Sequence, residues 1–503
     1  MRLSVQPMFD KRVDIAWLAA FRALFGVVMA VSALRFLAYG WIDDFWVKPT
    51  FHFSYMGFEW VKPLSPWGMH AAFWTLAGLA LAMAVGLVYR AAAFAFVVLF
   101  TYVQLLDVAT YLNHYYLAAL LALLLAVSPA HRAYSVDAWL ARRRRRAAPQ
   151  EPPAAKVDGV RAVWLYVFRF QVAVVYTFAG IAKLHADWLL DAQPLRIWLS
   201  SRTDLPLLGP LFSHAAAPYL MSWAGFLFDT SIAWLLLLKR VRPFAYAVVV
   251  VFHVVTRTLF PIGMFPVIMV LAALVFFPPD WPRHVVAWSM ARIRRVSSSP
   301  AVASSTARPA MARVATAPVA EAPALGARWR VAGWAILAVY ALCQLALPLR
   351  FLAYGGNVRW HEQGMRFSWR VMVREKNGSV TFVVQQKAPS NDDGQADGKA
   401  GGKPAGKIWH VSPGRYLTPL QEREMAGQPD LIAQLARHIK RDFEARGVGP
   451  VAVHVDALAS LNGRPLARLV DPAVDLSEVD DGLAIASWIL PAPEQRPPHL
   501  RPL

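Results

Sequence analysis

Lys183 ends an apolar stretch, FRFQVAVVYTFAGIAKLHADW (Phe168 to Trp188), and it is the residue in this chain best placed to do chemistry. A polar group at membrane depth is costly and needs a partner or a task. Two readings are open. The amine can snorkel to the membrane surface and pair with Asp187 one turn on. Alternatively, an amine buried beside aromatic rings loses the solvation that favours its ammonium form and can act as a base. His114 in LLDVATYLNHYYLAAL and His253 in VVVVFHVVTRTLFPIGMF are also set in apolar surroundings. Each reads either as an interhelical hydrogen-bonding group or as a member of one site with Lys183. If the Lys183 helix begins at Arg161, the amine lies about 33 Å further along at 1.5 Å per residue, near the outer interface, with Arg169 and Gln171 at membrane depth. No HExxH, GxSxG, Walker or GxGxxG motif stands at a useful position, which argues against a zinc protease, a serine hydrolase or a nucleotide-driven pump. Cys343 is the single cysteine, so no intramolecular disulfide or multi-cysteine metal site can form, and no metal is expected.

The elements that must position these groups are membrane helices. Of the 503 residues 57% are hydrophobic and only 17% charged, with 20 tryptophans, which points away from an ordinary soluble enzyme. A span needs roughly 20 mostly apolar residues. Such runs lie near 14–38, 68–89, 91–110, 114–130, 160–184, 215–238, 242–260, 263–279 and 330–349, the second and third joined by a tight turn at Tyr89 and Arg90. The net charge of +20 would suggest nucleic acid in a soluble protein. Here the basic residues sit between apolar runs and orient them, so no nucleic-acid partner is expected. With the N-terminus inside, Arg90, Arg142 to Arg146, Lys239 to Arg242 and Arg283 to Arg295 all fall on the cytoplasmic side, leaving the C-terminal domain outside.

The expected fold is therefore a polytopic α-helical membrane protein of about nine transmembrane helices with a smaller extracytoplasmic α+β domain. Its divisions are a bundle of eight spans over 1–295, a disordered cytoplasmic linker over 296–328, a ninth helix over 329–350, the outer domain over 351–490 and a proline-rich tail over 491–503. Within the outer domain Asn377-Gly378 predicts a hairpin turn, 387–407 a mobile loop, Gln428 to Arg446 a helix, and VAVHVDAL with Asn462-Gly463 a strand and turn.

The segments FRALFGVVMAVSALRF, LLDVATYLNHYYL with AYSVDAW, RFQVAVVYTFAGIAKLHADW, FHVVTRTLFPIGMF with FFPPDWPR, and GMRFSWRVMVRE, in this order, resemble the vitamin K-dependent gamma-glutamyl carboxylase family. Bacterial members are usually called HTTM-domain proteins. The resemblance runs to about Asp475 and implies a membrane enzyme that couples oxygenation of a reduced quinone to carboxylation of peptide glutamate. In the family a lysine amine deprotonates the hydroquinone, O2 adds, and the rearranging product removes a glutamate γ-proton; CO2 captures the carbanion and the quinone leaves as its epoxide. The implied cofactor is reduced vitamin K, as menaquinol or a related quinol, with CO2 and O2 as co-substrates. The implied partners are the lipid membrane, the quinone and a secreted glutamate-containing peptide, at a bacterial inner membrane with the outer domain in the periplasm.

Carried over by position, Lys183 takes the catalytic amine, Asn113 and His114 the pair at the quinone head group, and His253 a second site histidine. Arg202, Trp369 and Arg374 fall near substrate-facing positions, Arg374 standing where the animal enzyme has a histidine. The animal enzymes extend well beyond this length and carry a disulfide, which one cysteine cannot form. Two other functions fit the same residues: a quinol-dependent oxidoreductase with a non-peptide acceptor, and a quinone- or lipid-binding scaffold in which the lysine is structural.

Overall fold

A computed structural model describes residues 11–146, 158–206, 208–297, 326–387, 406–480 and 482–498. The expected linker over 296–328 and the loop over 387–407 lie almost entirely outside these residues. The described chain opens on strand β1 (Arg12–Asp14), which pairs antiparallel with β2 (Gly159–Arg161). Asp14 locks this ribbon to the helix ends around it, accepting from Ala16 N at 2.9 Å and from Arg283 Nε and Nη2 at 2.6 and 3.0 Å.

The main helices of the bundle are α1 (Ala16–Ala38), α2 (Pro66–Val85), α3 (Tyr89–Leu105), α4 (Asn113–Val127), α5 (Ala162–Ile181), α6 (Ala217–Leu237), α7 (Arg242–Leu259), α8 (Phe265–Ala273), α9 (Trp281–Ser297) and α10 (Ala327–Leu349). Six of them are long and apolar enough to cross a membrane, and a seventh span results if the α8–α9 pair, bent by 102°, counts as one. The other two expected spans correspond to α3 and α4, apolar helices of 17 and 15 residues. The tight turn expected at Tyr89 and Arg90 falls earlier, at Gly86 to Val88, Tyr89 and Arg90 being already the first residues of α3. Gly86 (φ +69°) lets the buried Arg22 side chain pass where a Cβ would meet Nη1 at 2.6 Å, and Asp137 accepts from the N–H groups of Val88 and Tyr89. Arg22 spends its own donors on the carbonyls of Ala130 and Tyr134, which accounts for a charge inside an apolar helix.

The outer domain is an antiparallel sheet in the order β4–β3–β5–β6 (Ile408–Val411, Lys376–Gln386, Val451–Leu461 and Ala467–Arg468) covered by α11 (Pro419–Ala426) and α12 (Pro429–Ala445). Leu431, Leu435, Ile439 and Phe443 form the apolar stripe of α12 and meet Phe382, Val384, Val453 and Val455 from the sheet. The two cores interpenetrate: Phe53 and Val108 from bundle loops enter the outer domain's core, and Trp369 enters the bundle's.

The hairpin expected at Asn377-Gly378 is replaced by unbroken strand, these residues pairing with Ser460 and Ala459 inside β3. Glycine serves a different purpose there, since a Cβ at 378 would lie 2.7 Å from the Ala426 carbonyl oxygen and 2.8 Å from that of Leu458. The residues before it, read as a strand, are irregular, with Phe367, Trp369 and Met372 all at positive φ. Asn462-Gly463 does turn the chain after β5, both at positive φ.

Gly180 sets the approach of α5 to α6, because a Cβ there would lie 2.5 Å from Thr230 Cγ2 and 2.9 Å from its backbone nitrogen. Gly180→Val should cost about 1–3 kcal/mol through overpacking, read as a lower thermal midpoint in detergent. Gly78→Ala, at a position with open space around it, is the matched control and should leave the midpoint within about 0.5 kcal/mol of wild type or higher.

Candidate functional site

α5 ends at Ile181, and the turn that follows directs Lys183 back beneath the bundle's rim. Its Nζ donates to Asp229 Oδ2 at 2.6 Å and to the Ala179 carbonyl at 3.1 Å, and it lies 5.1 Å from the Trp188 ring centroid. Lys183 is 5% exposed and Asp229 7%, so the pair is withdrawn from solvent. The carboxylate partner is thus on α6 and not at Asp187. Trp188 is itself fixed, donating from Nε1 to the Ser222 carbonyl at 2.8 Å.

Lys183, Asp229, Trp188, Tyr176 and His253 line a cavity of about 90 Å³ whose other walls are mainly apolar, among them Phe252, Phe265 and Met372. His253 accepts or donates at Nε2 with the Tyr176 hydroxyl (3.0 Å), while its buried Nδ1 has no protein partner. A second cavity, of about 360 Å³, adjoins it and is lined by Asn113, His114, Arg35 and Trp41. The two share Ile262, Phe265, Val371 and Met372 as a common wall. Phe265 stands between the histidines, its ring 6.1 Å from that of His114 and 6.0 Å from that of His253. A third, mainly apolar cavity of about 240 Å³ continues beyond Phe36, Phe45 and Tyr115 between α1, α2 and α3, with Gln104, Arg423 and Glu424 among its polar lining. Lys183 and His253 are therefore brought together, and Asn113 and His114 lie across a thin aromatic and aliphatic wall from them.

That wall is completed from above by the outer domain. Residues 366–374 lie against the bundle: Trp369 stacks on Tyr116 (4.9 Å, 24°), Phe367 meets Tyr111 and Tyr116 edge-on at 5.0 Å each, and Val371 and Met372 face both cavities. Three left-handed non-glycine residues within six positions are strained, at about 1–3 kcal/mol each, and the surrounding contacts hold them there. Trp369 is buried in packing and lines none of these cavities. Arg374 donates to Glu362 at 2.9 Å, and Arg202 sits half-buried on the turn after Leu195–Ser200, outside the cavity linings. Asp229 was not singled out by sequence; an acidic residue inside an apolar helix, opposite a lysine on another, is the signal that could have found it.

One turn beyond Lys183, Asp187 is the point at which the outer domain grips the bundle. Arg464 donates to it from both terminal nitrogens (2.8 and 2.7 Å), Asn462 Nδ2 adds a bond at 2.7 Å, and Arg359 Nη1 lies 3.7 Å away. Burial alone would raise the Asp187 carboxyl, but the Arg464 and Asn462 hydrogen bonds and the Arg359 charge outweigh it and hold the group well below the usual carboxylate range. His185 touches Arg359 through Nδ1; burial, then the Arg359 charge, pushes its imidazolium down to about 3.

The HTTM domain family matches residues 10–281, more than half of the chain, and the family described as the vitamin K-dependent gamma-carboxylase lumenal domain matches residues 330–495. These two domains, a membrane bundle and a lumenal domain docked on its rim, define a gamma-carboxylase-like membrane protein. The chain belongs to the vitamin K-dependent gamma-carboxylase family. No solved structure matches it. Among the described residues no group of three or more His, Cys, Asp or Glu stands close enough to hold a metal ion.

The clamp at Asp187 makes two measurable demands. Arg464→Ala leaves a buried carboxylate short of its main partner and should cost about 3–5 kcal/mol, seen as a lower thermal midpoint and faster proteolytic release of the outer domain. His185 is held neutral in the folded state, so its contribution is fully present above about pH 6.5 and is lost as pH falls towards 3, at no more than about 1.4 kcal/mol per pH unit. The thermal midpoint should drop between pH 7.5 and 5, and His185→Asn should flatten that part of the profile.

Proposed function

We propose that this protein is a quinol-dependent gamma-glutamyl carboxylase that uses Lys183 as its base, couples quinol epoxidation to CO2 addition at a peptide glutamate, and draws its quinol from the lipid bilayer. The observation that carries this reading is the buried Lys183–Asp229 pair opening into an apolar, aromatic-walled cavity next to the Asn113–His114 pair. Such a lining suits a flat quinol ring: orphaned polar atoms such as His253 Nδ1 are available to its oxygens, and the mainly apolar 240 Å³ cavity suits an isoprenoid tail. When bound, the quinol supplies, through O2, the base that removes the glutamate γ-proton.

The chain's own residues prepare this step. In the ion pair Lys183 cannot accept a proton, but burial penalises both charges, so returning the proton to Asp229 gives an amine and a carboxylic acid. The amine is then free to take a hydroxyl proton from the quinol. Asp229 is thus the proton's holding point, and Trp188 and the Ala179 carbonyl keep Nζ aimed while this happens. His114 and Asn113, at the start of α4, are the donors available to quinol oxygens on the far side of Phe265. The 364–374 segment and its close contacts with the bundle keep water from the cavities.

The orientation proposed is cytoplasmic for the N-terminus and periplasmic for the outer domain, in a bacterial inner membrane. It is supported by Arg90, Arg142, Arg240 and Arg283, which stand at the helix ends remote from the outer domain.

Membranes carrying wild type or Lys183→Ala, given reduced vitamin K, labelled bicarbonate and a glutamate-rich peptide, test the reading. Lys183→Ala should lose label and epoxide together, roughly 100- to 10,000-fold, and Asp229→Asn should fall in the same direction without abolishing quinol binding. Equal labelling by wild type and Lys183→Ala would sink the mechanism. Epoxide without label would move the assignment to an oxidoreductase with a non-peptide acceptor, and neither product with any quinol would leave a quinone- or lipid-binding scaffold.

A further inference from the structure

At the end of the bundle remote from the outer domain, the chain leaves α8 through the 3₁₀ turn Leu274–Phe276, and Pro278 and Pro279, which have no N–H to give a continuing helix, break the run. The Pro279 carbonyl accepts from Trp17 N at 3.1 Å and pins this corner to the start of α1. α9 then sets off at 102° to α8, so it lies across the bundle's end instead of continuing through a bilayer. On it Val285, Val286, Trp288 and Met290 are each 49–56% exposed, and the Arg292 guanidinium lies 5.5 Å from the Trp288 ring centroid. The helix Val136–Arg146 repeats the arrangement at the same end, with Trp139 exposed and the Arg143 guanidinium 4.6 Å from its ring centroid. Between the two helices lies the β1–β2 ribbon: Arg283 of α9 binds Asp14 on β1, and Arg142 donates to Asp158, next to β2, at 2.9 Å. That ribbon sets Arg12 directly opposite Arg161, a like-charge pair that a sheet ladder disfavours. Arg132 adds a third positive charge. Burial, then Arg132 and Arg161, outweigh the pull of Asp158 and push the Arg12 guanidinium below its ordinary value.

We infer that this end of the molecule grips an anionic phospholipid of the adjoining leaflet, its phosphate seated among Arg12, Arg132 and Arg161 and its acyl chains alongside the exposed faces of α9 and the Val136–Arg146 helix. The inference stands apart from the carboxylase reading. Backbone pairing holds the arginines of the ribbon together against their own repulsion, and a phosphate relieves that repulsion while matching the guanidinium fork with paired hydrogen bonds. The acids close by serve the fold. Asp14 is engaged by Arg283, and Asp137 accepts from the N–H groups of Val88 and Tyr89, so the ribbon keeps a positive field. Exposed apolar side chains and tryptophans beside cations are the make-up of helices that lie in the head-group layer, tryptophan at the boundary and arginine towards the phosphates. A free phosphate would account for the arginines and leave those apolar faces without a use. A bilayer with negative head groups accounts for both.

Binding of fluorescent short-chain phosphatidylglycerol and phosphatidylcholine to the full-length protein in detergent tests the inference. Wild type should bind phosphatidylglycerol at least about tenfold more tightly, with the preference shrinking as salt is raised. Arg132→Gln combined with Arg161→Gln should bring the ratio close to one, at about fivefold per charge removed. Arg132→Gln alone, at an exposed position outside the ribbon, should show the first of these steps with the fold intact. Equal binding of the two lipids by wild type overturns the proposal, as does a full preference surviving in folded Arg132→Gln protein. Trp288→Ala should weaken both lipids alike; unchanged binding of both would take α9 out of the site and overturn the assignment. Inorganic phosphate should displace the lipid no better than sodium chloride of the same ionic strength. Selective displacement would give the cluster to a free phosphate, and the lipid assignment fails.

Discussion

An ammonium and a carboxylate 2.6 Å apart, both withdrawn from solvent, are tolerable only because each is the other's compensation, and a large part of the bundle serves to let them meet. Gly180 allows α5 and α6 to close to backbone contact one turn away from the pair. Trp188, tied to Ser222 on α6, caps the amine from above. Removing either charge would leave the other stranded in apolar surroundings, so the pair is a structural tie between α6 and the turn that follows α5.

The outer domain is part of this arrangement and not an appendage to it. Its segment 364–374 supplies the roof of both cavities at the cost of three left-handed residues, and it inserts Trp369 into the bundle's own core. The bundle answers in kind through Phe53 and Val108. Further bonds knit the seam: Gln421 reaches the Phe51 carbonyl and Asp107, both at 2.8 Å, and Trp198 donates to Glu375 at 2.6 Å. With so many shared groups, the shape of the cavities depends on both domains being folded and joined.

The membrane architecture was legible because its physics is local: a run of apolar residues long enough to cross, bounded by arginines, announces itself without knowledge of its neighbours. The candidate site was legible in part for the same reason, since Lys183, His114 and His253 stand out against apolar surroundings. What sequence could not supply was pairing between distant segments. Lys183 had a plausible local partner in Asp187, and nothing in the linear pattern says that Arg464 and Asn462 claim that carboxylate while Asp229 takes the lysine. The irregular stretch before β3 alternates in the manner of a strand, and only its fit against Tyr111 and Tyr116 pulls it into another path. Asn377-Gly378 had the local chemistry of a turn, but the crowding of Ala426 and Leu458 gives the glycine a different reason to be there.

The clamp on Asp187 also has a consequence in time. Its partners Asn462 and Arg464 lie 275 and 277 residues further along the chain, so a ribosome delivers the lysine helix long before it delivers the groups that fix the turn after it. Until then the nascent chain carries the Asp187 carboxylate without the three hydrogen bonds that Asn462 and Arg464 will give it. A chain cut short before Asn462 would lack both of the side chains that hydrogen-bond to the Asp187 carboxylate. The order of translation thus leaves the rim of the bundle unfinished until strand β5 of the outer domain and the turn after it have been made.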